Sequence, residues 1–119
     1  KNIYLREVFL LNIQRYKQIK NELDRMVDAI IKNYNPRKII LFGSTVSGNV
    51  KEWSDIDMVV IKETDKSFYE RLIEIVEIAQ PNISADIIVY TPEEELEMKE
   101  ELFYKEEILN KGKVIYNVQ

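Results

Sequence analysis

The sequence predicts an α/β domain of the α+β kind, with a small mixed sheet of about three to four strands flanked by helices. Two observations predict this class. Short apolar runs bounded by turn residues recur along the chain, as strands do. Longer segments around them carry apolar residues at helical spacing. With 119 residues and 45% apolar content, the chain fits one globular domain with one core.

The first third of the chain predicts helices. Apolar residues crowd positions 3–13, which we interpret as an extra helix packed on the domain or, alternatively, as a surface for an oligomer or a partner. From Tyr16 to Tyr34, apolar residues recur at helical spacing. This second helix should end before Asn35-Pro36, because proline disfavours helix at the residue before it.

Two strands and a glycine turn are predicted next. Residues 39–42 are apolar and are followed by Gly43, which indicates a buried strand ending in a sharp turn that a ligand could approach closely. Ser44 can cap a short helix, whose first N–H groups would suit a phosphate. A second strand opens with the acidic residues of positions 55–57 and continues apolar to residue 61.

The remaining elements follow from capping signals and apolar runs. Residues 67–70 form a capping box that opens a helix, and residues 83–90 read as a third strand. Thr91 as cap, Pro92 at the first position and Glu94 at the third form a second capping box. The helical segment should run from there to about Asn110, either unbroken or with a break, before a short edge strand at 114–116. The acidic run at 93–95, together with Glu97, Glu100 and Glu101, is interpreted as a solvated helix face.

The positions of the polar motifs predict the strand directions. Gly43-Ser44 closes the first strand and Asp55-Asp57 opens the second, so the two can meet only if these strands are antiparallel. A long helix joins the second strand to the third, which predicts a parallel pair. Asp86, early in the third strand, then lies level with the other two acids, and the second strand is central.

The spacing of Asp55 and Asp57 indicates a cation site. Two residues apart on a strand, they point to one face, while Ile56 points to the opposite layer. Neighbouring carboxylates repel one another unless a positive charge lies between them, and hard divalent cations with oxygen ligands commonly supply it. The alternative is a pair of solvated or capping acids at a strand start.

Composition excludes several kinds of chemistry. The chain has neither histidine nor cysteine, which excludes a histidine base, a disulfide and the usual zinc sites. Its net charge of −4 gives no global basic field for nucleic acid, which we do not expect as a main partner. No signal peptide or membrane span is visible, so we expect a cytoplasmic protein without a membrane partner.

Together these motifs resemble a known signature. Gly43-Ser44, ten intervening residues and Asp55-x-Asp57, with Asp86 on a later strand, are similar to the motif of minimal nucleotidyltransferases, within the DNA polymerase β superfamily. The resemblance implies the nucleotidyltransferase fold and transfer of a nucleoside monophosphate, AMP from ATP, to an acceptor hydroxyl. It implies that Asp55, Asp57 and Asp86 are catalytic ligands of two Mg²⁺ ions, and that Gly43 and Ser44 bind the nucleotide.

The resemblance also implies a domain division and a partner. It covers residues 21–119, which leaves residues 1–20 as an N-terminal helical extension. Members of this family often pair with a HEPN-type protein in a toxin–antitoxin module, where the nucleotidyltransferase is the antitoxin and can modify a tyrosine of its partner. A protein acceptor and a homo- or hetero-oligomer are therefore expected.

One departure from the family pattern supports a second hypothesis. The family often has arginine in the segment after Gly-Ser, where this chain has Thr45, Val46 and Ser47, and the next basic residue is Lys51. The alternative is therefore a non-catalytic binding module that neutralises a partner protein stoichiometrically.

Overall fold

The chain folds as the predicted α+β architecture. The structure, a computed structural model, describes residues 3–43, 46 and 56–118. Within that part, the elements in chain order are α1 (Ile3–Tyr34), β1 (Lys38–Phe42), β2 (Ile56–Ile61), α2 (Phe68–Ala79), β3 (Ala85–Tyr90), α3 (Pro92–Met98), a π-helix (Tyr104–Asn110) and β4 (Lys113–Asn117). The short helix predicted after Ser44 lies outside the described residues.

The four strands form one mixed sheet in the order β3-β2-β1-β4. Strand β1 is antiparallel to β2 and to β4, whereas β2 and β3 are parallel. The predicted strand directions are confirmed, and β2 has a neighbour on each side as expected. The predicted edge strand at 114–116 is also confirmed, because β4 pairs with β1 at the edge of the sheet.

Helix α1 differs from the prediction, because one helix of 32 residues replaces the two expected. It ends where predicted, at Tyr34, and Asn35 follows with a left-handed φ of 51° before Pro36. The side chains of residues 5–14 are exposed, so this part is not the packed extra helix that we expected. No helix in the described part of the chain has the length and apolarity to cross a membrane.

Both predicted capping boxes are present. The Ser67 hydroxyl accepts a hydrogen bond from the Glu70 N–H (3.2 Å), and the Glu70 carboxylate accepts one from the Ser67 N–H (3.1 Å). Thr91 and Glu94 repeat this exchange at the start of α3. Each box satisfies N–H groups that a helix start leaves unpaired. The predicted C-terminal helical segment is broken between α3 and the π-helix.

Different elements pack on the two faces of the sheet. Helices α1 and α2 pack on one face, here called the helical face, where Ile56, Met58 and Val60 of β2 are fully buried. On the other face, here called the C-terminal face, Val59 and Ile61 pack with residues of the π-helix. Strand alternation therefore assigns Asp57 to the C-terminal face.

Candidate active site

Three of the five predicted site residues meet at one end of the sheet. Because β1 is antiparallel to β2 and β3 is parallel to it, the end of β1 adjoins the starts of β2 and β3. In the strand register, Phe42 pairs with Asp57, and Asp57 pairs with Asp86. Gly43 follows Phe42 directly. We call this end of the sheet, with Gly43, Asp57 and Asp86, the acidic edge.

Asp57 and Asp86 are neighbours across two parallel strands. Their Cα atoms are register partners, and adjacent strands lie about 4.8 Å apart. Residues paired in this way point to the same face, here the C-terminal face. Ile56 beside Asp57 is fully buried, whereas Asp57 is partly buried and Asp86 is exposed. The carboxylates therefore lie side by side at a border between core and solvent.

Both the backbone conformation at position 43 and the closeness of the Asp57 side chain favour glycine there. The φ of +67° at Gly43 is a conformation that side chains disfavour, as expected for the predicted turn. A Cβ atom on Gly43 would also collide with the carboxylate of Asp57. The sequence suggested a glycine that a ligand could approach, but gave no sign that its own Asp57 would occupy that space. The Gly43 carbonyl accepts a hydrogen bond from the Val46 N–H (3.1 Å).

Two predicted site residues, Ser44 and Asp55, lie outside the described residues. Their assignment to phosphate binding and metal binding stays a prediction. No group of three or more acidic, histidine or cysteine side chains suited to a metal occurs among the residues that the structure describes. The predicted set of three acids includes Asp55, so this finding leaves that set untested.

The donors at the acidic edge fit a hard divalent cation. Asp57 and Asp86 supply carboxylate oxygens from neighbouring strands, and oxygen ligands are those that Mg²⁺ prefers. Two like charges at this separation repel each other, and a cation bound between them would remove that repulsion. The exposure of Asp86 leaves the edge open to solvent and to a ligand.

A second group of polar residues lies at the opposite end of the sheet, where β1 begins. The ammonium group of Lys38 lies 2.8 Å from Oε2 of Glu95, and the Tyr104 hydroxyl donates to the same oxygen at 3.0 Å. All three residues are buried. Burial, with the Glu95 carboxylate next in effect, raises the pKa of the Tyr104 hydroxyl well above its usual range. Tyr104 therefore stays a donor.

Glu94 has a similar contact with α2. Arg71 donates from Nη1 to the Glu94 carboxylate (2.7 Å) and to the Val89 carbonyl (3.2 Å). Partial burial acts to raise the pKa of Glu94, but hydrogen bonds from Arg71 and the Thr91 N–H lower it on balance. The interpretation of residues 93–95 as a solvated face was therefore wrong for Glu94 and Glu95, which connect α3 to the domain.

A comparison with protein families matches most of this chain. The model described as polymerase beta, nucleotidyltransferase, matches residues 17–119. That match contains the acidic edge and every strand of the sheet. A comparison with curated protein sequences finds no match.

Solved structures support the same fold. A crystal structure assigned as a nucleotidyltransferase from Sulfolobus solfataricus is 16% identical, with a TM-score of 0.55, covering 89% of this chain and 83% of its own. A toxin–antitoxin crystal structure with AMP-PNP is 18% identical, with a TM-score of 0.54, covering 83% of this chain and 75% of its own. At these identities the likeness concerns the fold alone. The family resemblance of the sequence is confirmed, and the chain belongs to the polymerase beta nucleotidyltransferase family.

Proposed function

We propose that this protein transfers AMP from ATP to a hydroxyl group of a partner protein in a Mg²⁺-dependent reaction. The acceptor would be a HEPN-type partner, and the chain would act as the antitoxin of that pair. The observation that carries this proposal is the acidic edge, where the strand register places Asp57 beside Asp86 and Gly43 against Asp57. Family membership supplies the reaction class, and the paired carboxylates supply a place for it.

In this proposal the aspartates of the acidic edge bind the cation, and the residues of the glycine turn bind the nucleotide. Asp57 and Asp86, with Asp55, would hold Mg²⁺, which when bound neutralises triphosphate charge and lowers the pKa of the acceptor hydroxyl. Gly43 would offer its backbone N–H to a phosphate, and its missing side chain leaves room for the Asp57 carboxylate beside it. Ser44 would add its N–H and hydroxyl as donors to the β and γ phosphates.

The proposed reaction replaces a phosphoanhydride bond of ATP with a phosphate ester bond to the acceptor. The acceptor oxygen forms a bond to the α phosphorus of ATP while the bond from that phosphorus to the bridging oxygen of the β phosphate breaks. Pyrophosphate leaves, and the hydroxyl proton is released to solvent, to which Asp86 is open. The chain's own contribution is to orient the triphosphate at the end of β1, so that the bond that breaks faces the incoming oxygen.

The choice of nucleotide and of partner has support from the fold comparison. The toxin–antitoxin structure with a similar fold contains AMP-PNP, an analogue of ATP. That combination of a toxin–antitoxin assembly with an adenine nucleotide supports ATP as the donor to test for this chain. The HEPN-type partner comes from the family resemblance of the sequence. The partner to test is a HEPN-type protein encoded next to this chain, if the neighbouring reading frame encodes one.

A second candidate function is a binding module that neutralises its partner by contact alone. The absence of a basic residue between Gly43 and Lys51 favours it, because triphosphate binding usually requires positive charge. Under this hypothesis, neutralisation of the partner does not depend on the acids at the acidic edge.

The deciding experiment measures label transferred from α-labelled ATP to the partner protein in the presence of Mg²⁺. Asp57→Asn and Asp55→Asn should each lower transfer by about 100-fold or more, since each removes a ligand of the same cation site. The double variant should be little worse than either single variant, because the acids act as a unit. Partner inhibition is measured on the same samples.

A matched control is available in Asp65→Asn. Asp65 is exposed and lies after the end of β2, at the opposite end of the sheet from Asp57. Its substitution should leave transfer unchanged. If wild-type protein transfers no label from ATP or other nucleotides to the partner, the enzyme hypothesis fails. If Asp57→Asn still neutralises the partner, the binding module is favoured.

A further inference from the structure

The apolar stripe of α1 continues beyond the domain that it packs on. At steps of three or four residues, one face of the helix carries Leu5, Phe9, Ile13, Tyr16, Ile19, Leu23, Met26, Ile30 and Tyr34. The stripe is buried at Ile19, Met26, Ile30 and Tyr34, where α1 covers the helical face of the sheet. Towards the N-terminus the same stripe is exposed. We call the exposed part, residues 5–18, the N-terminal arm.

The N-terminal arm is more apolar than a solvated helix requires. Leu5, Phe9 and Leu11 are each more than 60% exposed, at 66%, 63% and 62%. Leu10 and Leu11 lie outside the stripe, so the arm is apolar around much of its circumference. Contiguous apolar surface of this kind usually marks an interaction site. The family match begins at residue 17, so most of the arm lies outside the matched domain.

A second exposed apolar surface lies on α2. Its side chains follow at steps of one and three residues and are between 39% and 69% exposed: Phe68, Tyr69, Leu72, Ile73 and Val76. The buried side of α2 adjoins this surface and packs against the domain through Arg71, Ile75 and Ala79. Helix α2 has 12 residues and is about 18 Å long, and the N-terminal arm is about 21 Å long. The two surfaces therefore match in length and in apolar character.

The charges of the two surfaces are complementary. The N-terminal arm carries Arg6, Arg15 and Lys17 against one acid, Glu7. Helix α2 carries three acids, Glu70, Glu74 and Glu77, of which Glu74 is paired with Lys66. Its single basic residue, Arg71, is buried and paired with Glu94. Two arms placed together would bring like charges into contact, whereas an arm placed on α2 brings opposite charges together.

We propose that the N-terminal arm of one copy binds the exposed face of α2 in a second copy of this chain. Because each copy has one arm and one α2 face, a two-fold arrangement makes the same contact twice and leaves neither arm uncovered. The reciprocal contact buries the apolar side chains of four surfaces. The dimer does not require the proposed activity. Its arm leaves the domain at the same end of the sheet as the acidic edge, where Tyr16 and Ile19 line a cavity with Leu41.

Sedimentation equilibrium of the full chain over a range of concentrations tests the proposal. Wild type should dimerise, and Phe9→Glu and Ile73→Glu should each raise the dimer dissociation constant by about 100-fold or more, since each places charge in both copies of the contact. Leu96→Glu is the matched control, because Leu96 is 66% exposed on α3, outside both surfaces. Far-UV circular dichroism should show an unchanged fold, since all three side chains are exposed.

Mixing the two variants identifies the pairing. A mixed dimer of Phe9→Glu and Ile73→Glu chains keeps one contact fully intact, because the arm of one chain and the α2 face of the other are both unchanged. The mixture should therefore dimerise more tightly than either variant alone. Wild type that stays monomeric overturns the proposal, including the case in which that monomer binds anionic lipid vesicles through its arm. Ile73→Glu that dimerises as tightly as wild type also overturns it, because the arms would then pair with each other.

Discussion

Two pairs of carboxylates lie near opposite ends of the sheet, and their surroundings differ. Glu94 and Glu95 receive cations from within the chain, Arg71 and Lys38. Asp57 and Asp86 lie side by side on neighbouring strands at the border with solvent, and Asp86 is exposed. A carboxylate paired inside the protein stabilises the fold and has little capacity left for a ligand. Two carboxylates brought together at a solvent-exposed edge cost stability and favour a cation from outside.

The largest effect on stability should come from breaking the buried pair. Glu95→Ala leaves Lys38 buried without its partner, and should lower the free energy of unfolding by about 3–5 kcal/mol. Urea titration measures this loss. Glu97→Ala, an exposed acid on the same helix, should change the free energy of unfolding by less than about 0.5 kcal/mol. Equal losses for the two variants would show that the Lys38 contact does not stabilise the fold.

A smaller effect, dependent on pH, is expected at Glu94. Its pKa is lowered in the folded state, so its stabilisation is present above the unfolded-state pKa near 4.5 and is lost as pH falls through the folded value. Because Glu94 is partly exposed, Glu94→Gln should cost only about 1 kcal/mol or less at neutral pH. Urea titrations at neutral and acidic pH should show the difference from wild type disappearing in acid. A difference that persists in acid would assign the effect to packing.

The smallest effect, and one of opposite sign, is expected at the acidic edge. Without metal, Asp57→Asn removes one of two neighbouring like charges, so the free energy of unfolding should be unchanged or higher by about 0.2–1 kcal/mol. Added Mg²⁺ and ATP should raise the melting temperature of wild type, since a ligand that binds only the folded state stabilises it. That increase should be lost in Asp57→Asn and kept in Asp65→Asn. An unchanged increase in Asp57→Asn would place the cation elsewhere.

Local signals predicted most of this fold. The capping boxes at Ser67 and Thr91 depend on residues three apart, and the strand directions follow from where the polar motifs stand on each strand. The pairing of Asp57 with Asp86 could therefore be anticipated from the sequence and is confirmed by the register. Ser44 and Asp55 belong to the same motif, and their roles stay predictions.

Contacts between distant residues could not be predicted in the same way. Lys38 and Glu95 are far apart in the chain, and a contact at that separation leaves no local pattern in the sequence. In the sequence alone, an acidic run resembles a solvated helix face. The contacts of Glu94 and Glu95 with buried basic residues were therefore not predicted. The division of α1 into two helices was a different kind of error, because residues 3–34 contain neither glycine nor proline to interrupt a helix.

The continuity of α1 has a mechanical consequence. Because α1 is continuous and stiff, a partner bound to the N-terminal arm is held at a fixed distance and a fixed rotation relative to the sheet. Each residue of the helix advances about 1.5 Å and turns about 100°. The sequence between Tyr16 and Ile19, where the exposed stripe becomes buried, therefore sets the direction in which the arm presents its apolar side. A flexible linker at that position would keep the apolar side chains of the arm but would no longer fix the direction in which they point.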